Sequence, residues 1–102
     1  MIKVKQWLNL LGLANRSGNI VTGEETIINK IRQDKVKMVI VAVDASEKTK
    51  KLYFDKCKFY NITCVEAGTI NELSKAIGKI NRVAVGICDA GFKKGLLAKI
   101  TK

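Results

Sequence analysis

The stretch VTGEETIIN, residues 21–29, puts two adjacent carboxylates, Glu24 and Glu25, directly after Gly23 at the start of a helical pattern. Paired carboxylates can share a proton or hold a metal, so acid–base chemistry is the first possibility to weigh. It fails on geometry, because neighbouring helical side chains diverge by about 100° and cannot converge on one proton or ion. The other reactive side chains are no better placed. The chain holds three cysteines, Cys57, Cys64 and Cys88, and no histidine. A Cys/His zinc site is thereby excluded, as is a histidine base for a serine or cysteine nucleophile. The segments GEE and EAGT are too poor in glycine to cradle a phosphate, and no Walker or dinucleotide fingerprint is present. Nothing selects one lysine or aspartate for catalysis, so no enzyme activity, cofactor or metal is expected.

Charge points elsewhere. Nineteen Lys+Arg against nine Asp+Glu give a formal +10 and a pI near 9.7, more than solubility requires. The excess is spread over the domain rather than held in a tail: net +4 over residues 1–40, +2 over 41–60 and +4 over 61–102. Such a balance is the electrostatic footprint of a nucleic-acid partner.

The elements that must position these groups follow from periodicity. A chain of 102 residues is one domain, 1–102, and can bury a core without disulfide or metal staples. Val4, Trp7, Leu8 and Leu11 fall on one stripe of an amphipathic helix over 4–14. Lys3 and Lys5 before WLNLLGLA faintly suggest a signal peptide. Asn9 interrupts the apolar run, however, and Asn15-Arg16 stand where small residues should mark cleavage. No segment is long enough to span a membrane. NRSGN ends this helix, and IVT forms a short extended piece. Thr22 stands three residues before Glu25, a capping-box pattern opening a second helix that runs to about residue 34.

VKMVIVAVD, residues 36–44, predicts a buried strand. Ser46 caps a third helix with Leu52, Tyr53, Cys57 and Tyr60 inward, and ITCVEA, residues 62–67, is the next strand. Thr69 caps a helix to about Ile77, ended by Gly78; residues 82–89 form a last strand, and GFKKGLLAKI closes the chain with Phe92, Leu96, Leu97 and Ile100 inward. Alternation at this spacing predicts an α/β chain with helices on both faces of a small sheet. The cysteines read as small buried hydrophobes in a reducing cytoplasm. Ligand sites in such sheets gather where strands lead into helices. Three such junctions are Thr22-Gly23, Asp44-Ala45 and Ala67-Gly68-Thr69. A helix N-terminus there can hold a phosphate or sit against base edges.

LGLANRSGNIVTGEETIINKIRQDKVKMVIVAVDASEKTKK, with DKCKFYNITCV and ELSKAIGK after it, resembles the kink-turn-binding ribosomal-protein family, and most closely its bacterial YlxQ-type branch. The resemblance covers about residues 7–98. It implies a three-layer α/β/α sandwich with a small four-stranded mixed sheet. It also implies non-catalytic binding of RNA kink-turns, internal loops bent at tandem G·A pairs, in ribosomes and other ribonucleoproteins. The family motif is roughly G-x-N-E-x-x-K. Here Gly23 matches, Glu25 stands for Asn, Thr26 for Glu and Asn29 for Lys; glutamate at the position of Glu25 is usual in the YlxQ-type branch. Asp44 matches the family's acidic residue after the central strand. Ala67, Gly68, Thr69 and Ile70 correspond to the variable loop that packs on flipped-out nucleotides, without the lysine often found at Ile70.

The resemblance thus implies recognition through Gly23, Glu24, Glu25, Thr26 and Asn29, with Asp44, Ala67, Gly68 and Thr69 beside them. Arg16, Lys30, Arg32, Lys35 and Lys37 would supply the phosphate contacts. Glu25 and Asn29, four apart, share a helix face, where a carboxylate accepts from guanine and an amide both donates and accepts. Plainer roles stand beside these. Thr22 and Glu25 form a cap worth about 1 kcal/mol, Glu24 favours the helix dipole, and Asp44 and Ser46 are either turn and cap residues or RNA ligands. Lys48, Lys50 and Lys51, like Lys93, Lys94 and Lys99, read as solvated helix faces, and Tyr53, Phe54, Phe59 and Tyr60 as core. A cytoplasmic monomer on kink-turn RNA, with ribosomal RNA as first target, is the expectation. The alternative is a protein-interaction module of the ribosome or translation machinery. That alternative needs an exposed apolar patch, and no stretch of sequence looks like one.

Overall fold

The apolar stripe that begins at Trp7 and Leu11 continues to Ala14, and these three are the buried residues of α1 (Gln6–Arg16). The computed structural model describes residues 5–100, so Val4 lies outside the described residues. Eight further elements follow in the predicted order: β1 (Ile20–Thr22), α2 (Glu24–Arg32), β2 (Met38–Val41), α3 (Glu47–Phe59), β3 (Thr63–Glu66), α4 (Ile70–Ala76), β4 (Ala84–Ile87) and α5 (Ala90–Ile100). β1 is the expected IVT, whereas β2, β3 and β4 are each shorter than the run that predicts them. Val36 and Ala42 are buried like the strand they flank but lie outside its ladder; burial, not pairing, shapes the sequence pattern.

The four strands form one mixed sheet in the order β1-β4-β2-β3. β2 pairs with β3 in parallel, while β4 runs antiparallel to both β1 and β2. Helices α2 and α3 cover one face, and α1, α4 and α5 cover the other. The three-layer α/β/α sandwich with a four-stranded mixed sheet is therefore the observed fold. Every residue of β2 and β4 is buried, as expected for central strands with helices on both sides. Ile27, Ile28 and Ile31 of α2, Tyr53 and Cys57 of α3, Leu73 of α4 and Leu96 of α5 complete the core. Phe92, Leu97 and Ile100 pack against it from α5.

Several local expectations need correction. Thr22 does not cap α2. It is a strand residue paired with Val85, and Gly23 occupies the cap position with no side-chain cap bond. Tyr60 does not extend the buried stripe of α3: it is the residue at which the helix ends, with φ −95°, so helical spacing no longer aims it at the core. Phe54, Phe59 and Tyr60 are all exposed, Phe59 by 80%. Lys50 is not merely solvated; its ammonium lies 3.0 Å from Glu66 and 3.6 Å from Glu47, tying α3 to the edge strand β3. Cys57 is buried, but Cys64 and Cys88 are only half-buried, and all three are free thiols. A hydrogen bond between Cys57 on α3 and Cys64 on β3, together with burial, pushes the Cys64 thiol up. Among the described residues no helix is long and apolar enough to cross a membrane.

Candidate nucleic-acid interface

The sheet topology brings the three strand-to-helix junctions to one end of the molecule. β2 and β3 are parallel, so Asp44 after one and Ala67–Thr69 after the other leave the same edge. Thr22 at the end of β1 faces Val85, and Val41 at the end of β2 faces Ala84, at the beginning of β4. The antiparallel β4 therefore delivers a fourth segment, residues 77–83, to this end. Backbone bonds knit part of it together: Val43 donates to Gly68 O at 2.8 Å, and Ala67 donates to Val41 O at 3.0 Å.

Three helices begin here, and their first turns differ. Ser46 caps α3 by accepting from Thr49 N at 3.2 Å. Thr69 caps α4 in a complete capping box: its hydroxyl accepts from Glu72 N at 3.1 Å, and Glu72 accepts from Thr69 N at 2.9 Å. Asp44 Oδ1 adds a bond from Ile70 N at 2.8 Å, and Lys5 meets Glu72 at 3.2 Å. Burial acts to raise the Glu72 carboxyl, but the Thr69 N–H and the Lys5 ammonium outweigh it and hold the group below the usual glutamate range. The first turn of α2 has no side-chain cap at all. Its chain reversal rests on Gly23, at φ 89° and ψ 131°, a conformation that side-chain-bearing residues rarely adopt. A Cβ on Gly23 would meet only Thr26 Oγ1 at 3.9 Å, so the space before it is open.

Glu24, Glu25, Thr26 and Asn29 are exposed, while Ile27, Ile28 and Ile31 hold the other face of α2 in the core. Glu25 and Asn29 thus look outward from one helix turn to the next. Glu24, Gly23, Tyr53, Asn81 and Arg82 line a cleft of about 220 Å³. Burial, and after it the negative charge of Glu24, pushes the Tyr53 phenol up to about 12. Beyond Asn81 a second, larger cleft of about 500 Å³ runs along α4, lined among others by Asp44, Ile70, Asn71, Lys75, Lys79 and Ile80.

The remaining expected residues divide. Ala67 and Gly68 are buried. Gly68, at φ 71°, has Trp7 only 2.9 Å from where a Cβ would stand, so this glycine serves close packing beneath α1. Thr69 is engaged in its capping box, and Asp44 spends one carboxylate oxygen on α4. Lys30 and Lys37 sit toward the opposite end of the sheet, where Lys37 N bonds Ile87 O at 2.7 Å. Both lysines lie near Cys88, whose thiol burial pushes up against the effect of their charges. α2 spans nine residues, about 13 Å at 1.5 Å per residue, so these two ammonium groups flank the open turn at a distance. Arg16 is exposed at the end of α1, beside a cleft between α1 and α4.

Sequence reasoning missed the segment Lys79–Arg82. Ile80 is 80% exposed there, and Asn81 turns the chain at φ 54°. Arg82 N bonds the buried Ser74 hydroxyl at 2.8 Å, which fixes the loop to α4, while its Nε is buried without a partner. The available signal was a lone isoleucine in a polar loop after Gly78. Among the described residues, no group of three or more His, Cys, Asp or Glu is placed to hold a metal ion.

The sequence pattern of the ribosomal protein L7Ae/L30e/S12e/Gadd45 family matches residues 5–97. The RNA-binding protein YlxQ of Enterococcus faecium is 48% identical over 87 residues, covering 85% of this chain and 84% of that one. A solved protein of unknown function from Bacillus halodurans superposes with a TM-score of 0.93 at 41% identity, over 97% of this chain and all of the other. The Giardia lamblia 15.5kD RNA binding protein shares the fold at a TM-score of 0.76 and 18% identity, over 98% of this chain and 89% of its own. The sandwich architecture, the family pattern matched over residues 5–97 and the near-complete coverage of relatives lead to one assignment: the chain belongs to the ribosomal protein L7Ae/L30e/S12e/Gadd45 family.

Proposed function

We propose that this chain is a non-catalytic RNA-binding protein that recognises a kink-turn-like structured RNA through the first turns of α2 and the loops beside it. The observation that carries this reading is the uncapped, outward-facing start of α2 at the same end as the capped starts of α3 and α4, in a domain of formal charge +10. The name of the Enterococcus relative supports the RNA class of ligand.

In this reading Gly23 lets the backbone N–H groups approach the RNA. Glu25 accepts from guanine N1–H or an exocyclic amine, Thr26 offers its hydroxyl, and Asn29 donates and accepts at the next base edge. Such edges are open to a helix only where the duplex is distorted, because the A-form major groove is too narrow. Tandem G·A pairs at a sharp bend provide that distortion. The cleft beside Ile80, with Asn71 and Asn81 on its wall, takes an unstacked nucleotide against its apolar face. Lys75, Lys79 and Arg82 serve phosphates, while Arg16, Lys30 and Lys37 add longer-range attraction. Ala67, Gly68, Thr69 and Asp44 shape the loop rather than read bases. Ribosomal RNA in the cytoplasm is the first target to test, with the protein acting as a monomer.

The test is a titration against a kink-turn RNA and the same RNA with its G·A pairs replaced. Preferential binding of the first is expected; equal binding would leave only a basic RNA-binding domain.

One observation favours a second reading, a protein contact of the ribosome or translation machinery. Phe59 and Tyr60 pack edge-to-face at 4.9 Å and are exposed at the far end of α3. An apolar surface is therefore present, contrary to the sequence-based expectation. α3 is thirteen residues long, about 20 Å, so this pair lies well away from the open turn. Replacing both aromatics should leave RNA binding intact; loss of ribosome association alone would favour the protein-contact reading.

A further inference from the structure

The open start of α2 has clefts on both sides, and shared lining residues place them side by side. Asn81 lines both the cleft along α4 and the one at Gly23 and Arg82. Glu24 lines the latter and also a third cleft, of about 460 Å³, formed with Lys48, Thr49, Lys51, Leu52 and Asp55 of α3. Three adjoining clefts therefore lie across this end of the molecule, from Lys75 and Lys79 past the α2 turn to Lys48 and Lys51.

The lysines of α3 are not equivalent. Lys50 is committed to Glu66 and Glu47. Lys51 is held 3.2 Å from Asp55, with both side chains mostly exposed, a pairing of little strength in water. Lys48 is exposed in the first turn of the helix, where a cation is disfavoured by the helix dipole. Lys48 and Lys51, one turn apart, both line the third cleft, where an anion would offset the unfavourable charge of Lys48 at the helix start.

We propose that Lys48 and Lys51 bind the phosphate backbone of the RNA strand that continues past the α2 turn, so that the interface extends along α3 and away from the base-reading residues. This rests on the RNA-binding reading above. It assigns α3 a strand that Glu25 and Asn29 do not touch, and it makes Asp55 a competitor that an arriving phosphate displaces from Lys51.

The test measures the Kd for a kink-turn RNA across a range of salt concentrations. Each lost phosphate contact lowers the slope of log K against log salt by about 0.7–0.9. Lys48→Ala/Lys51→Ala should therefore flatten the slope by about 1.5 while leaving the preference for intact G·A pairs unchanged. Asp55→Asn should tighten binding several-fold. The control is Lys94→Ala/Lys99→Ala on α5, in the opposite layer, which removes the same charge and should leave the slope within error of the unaltered protein. Equal slopes for the two double variants would overturn the α3 contact while RNA binding itself stood. Failure of the unaltered protein to bind any structured RNA would overturn both.

Discussion

Two helices, α2 and α4, begin at the same end of the sheet and answer the same problem in opposite ways. Each first turn leaves backbone N–H groups without helical partners. At α4, Thr69, Glu72 and Asp44 accept from three of them or their neighbours, and Lys5 neutralises the added charge. At α2 no side chain does so, and the chain turns on a glycine facing open space. Both starts have the same dipole and similar acidic residues. The difference teaches that the end of this sheet is divided into a sealed structural half and an unsealed half available to a ligand. Of the three helices that begin at this end, α3 carries a side-chain cap bond and α4 a complete capping box, and the departure from local consistency falls at α2, where function is expected.

Substitutions can break or sharpen this contrast, and the largest effect should come from the two glycines. Alanine at Gly68 meets a left-handed backbone, costing about 1–2 kcal/mol, and a crowded Trp7, for which overpacking adds about 1–3 kcal/mol. Alanine at Gly23 meets no such crowding, but its backbone, at φ 89° and ψ 131°, lies outside the left-handed helical well and costs about 1–3 kcal/mol. Chemical denaturation should therefore rank Gly68→Ala as clearly less stable than Gly23→Ala, whereas RNA affinity should suffer more from the latter. A reversed order of stability would remove the distinction between the sealed and unsealed halves.

Next in size are the caps. Thr69→Ala should cost about 1 kcal/mol, lowering Tm by about 4–8 °C in a domain of this size. Glu25→Ala makes no capping bond to lose and should stay within about 0.5 kcal/mol of the unaltered protein. Comparable losses in thermal melts would show that Glu25 caps α2 after all.

Acid should then act on one half. The folded Glu72 carboxyl titrates below its ordinary value, so its contribution is complete above the unfolded glutamate range. That contribution disappears as pH falls through the lower folded value. Stability measured between about pH 5 and pH 3, around the unperturbed glutamate range, should decline less steeply in Glu72→Gln than in the unaltered protein. An identical decline would mean that the α4 box carries no ionic contribution. The smallest effect concerns the cleft itself. In Tyr60→Phe, the remaining phenol, Tyr53, should ionise near 12 by ultraviolet titration, and Glu24→Gln should lower that value slightly.

Much of this division was legible in the sequence. The nine elements and their order follow from apolar periodicity, Gly punctuation and the caps at Ser46 and Thr69. The sites of error share a physical cause: they depend on partners distant along the chain. Thr22 has the sequence context of a cap, yet pairing with Val85 makes it a strand residue. Tyr60 continues the stripe of Tyr53 and Cys57 in spacing, yet the helix ends beneath it. The loop Lys79–Arg82 has no motif. It reaches the site only because β4 inserts between β1 and β2 and runs antiparallel to both. The open turn at Gly23 was visible as a motif, but its contrast with α4 required the structure.

The central claim is that the unsealed start of α2 reads bases while the rest of the domain supplies support and charge. It is tested most directly by the ratio of Kd values for a kink-turn RNA and its G·A-replaced form, measured for the unaltered protein and for Glu25→Ala. A lost base-edge contact is worth about 1–3 kcal/mol of discrimination, or roughly tenfold for each 1.4 kcal/mol. The account predicts that the ratio collapses toward one in Glu25→Ala while its melting temperature holds. A ratio that survives the substitution unchanged would contradict it.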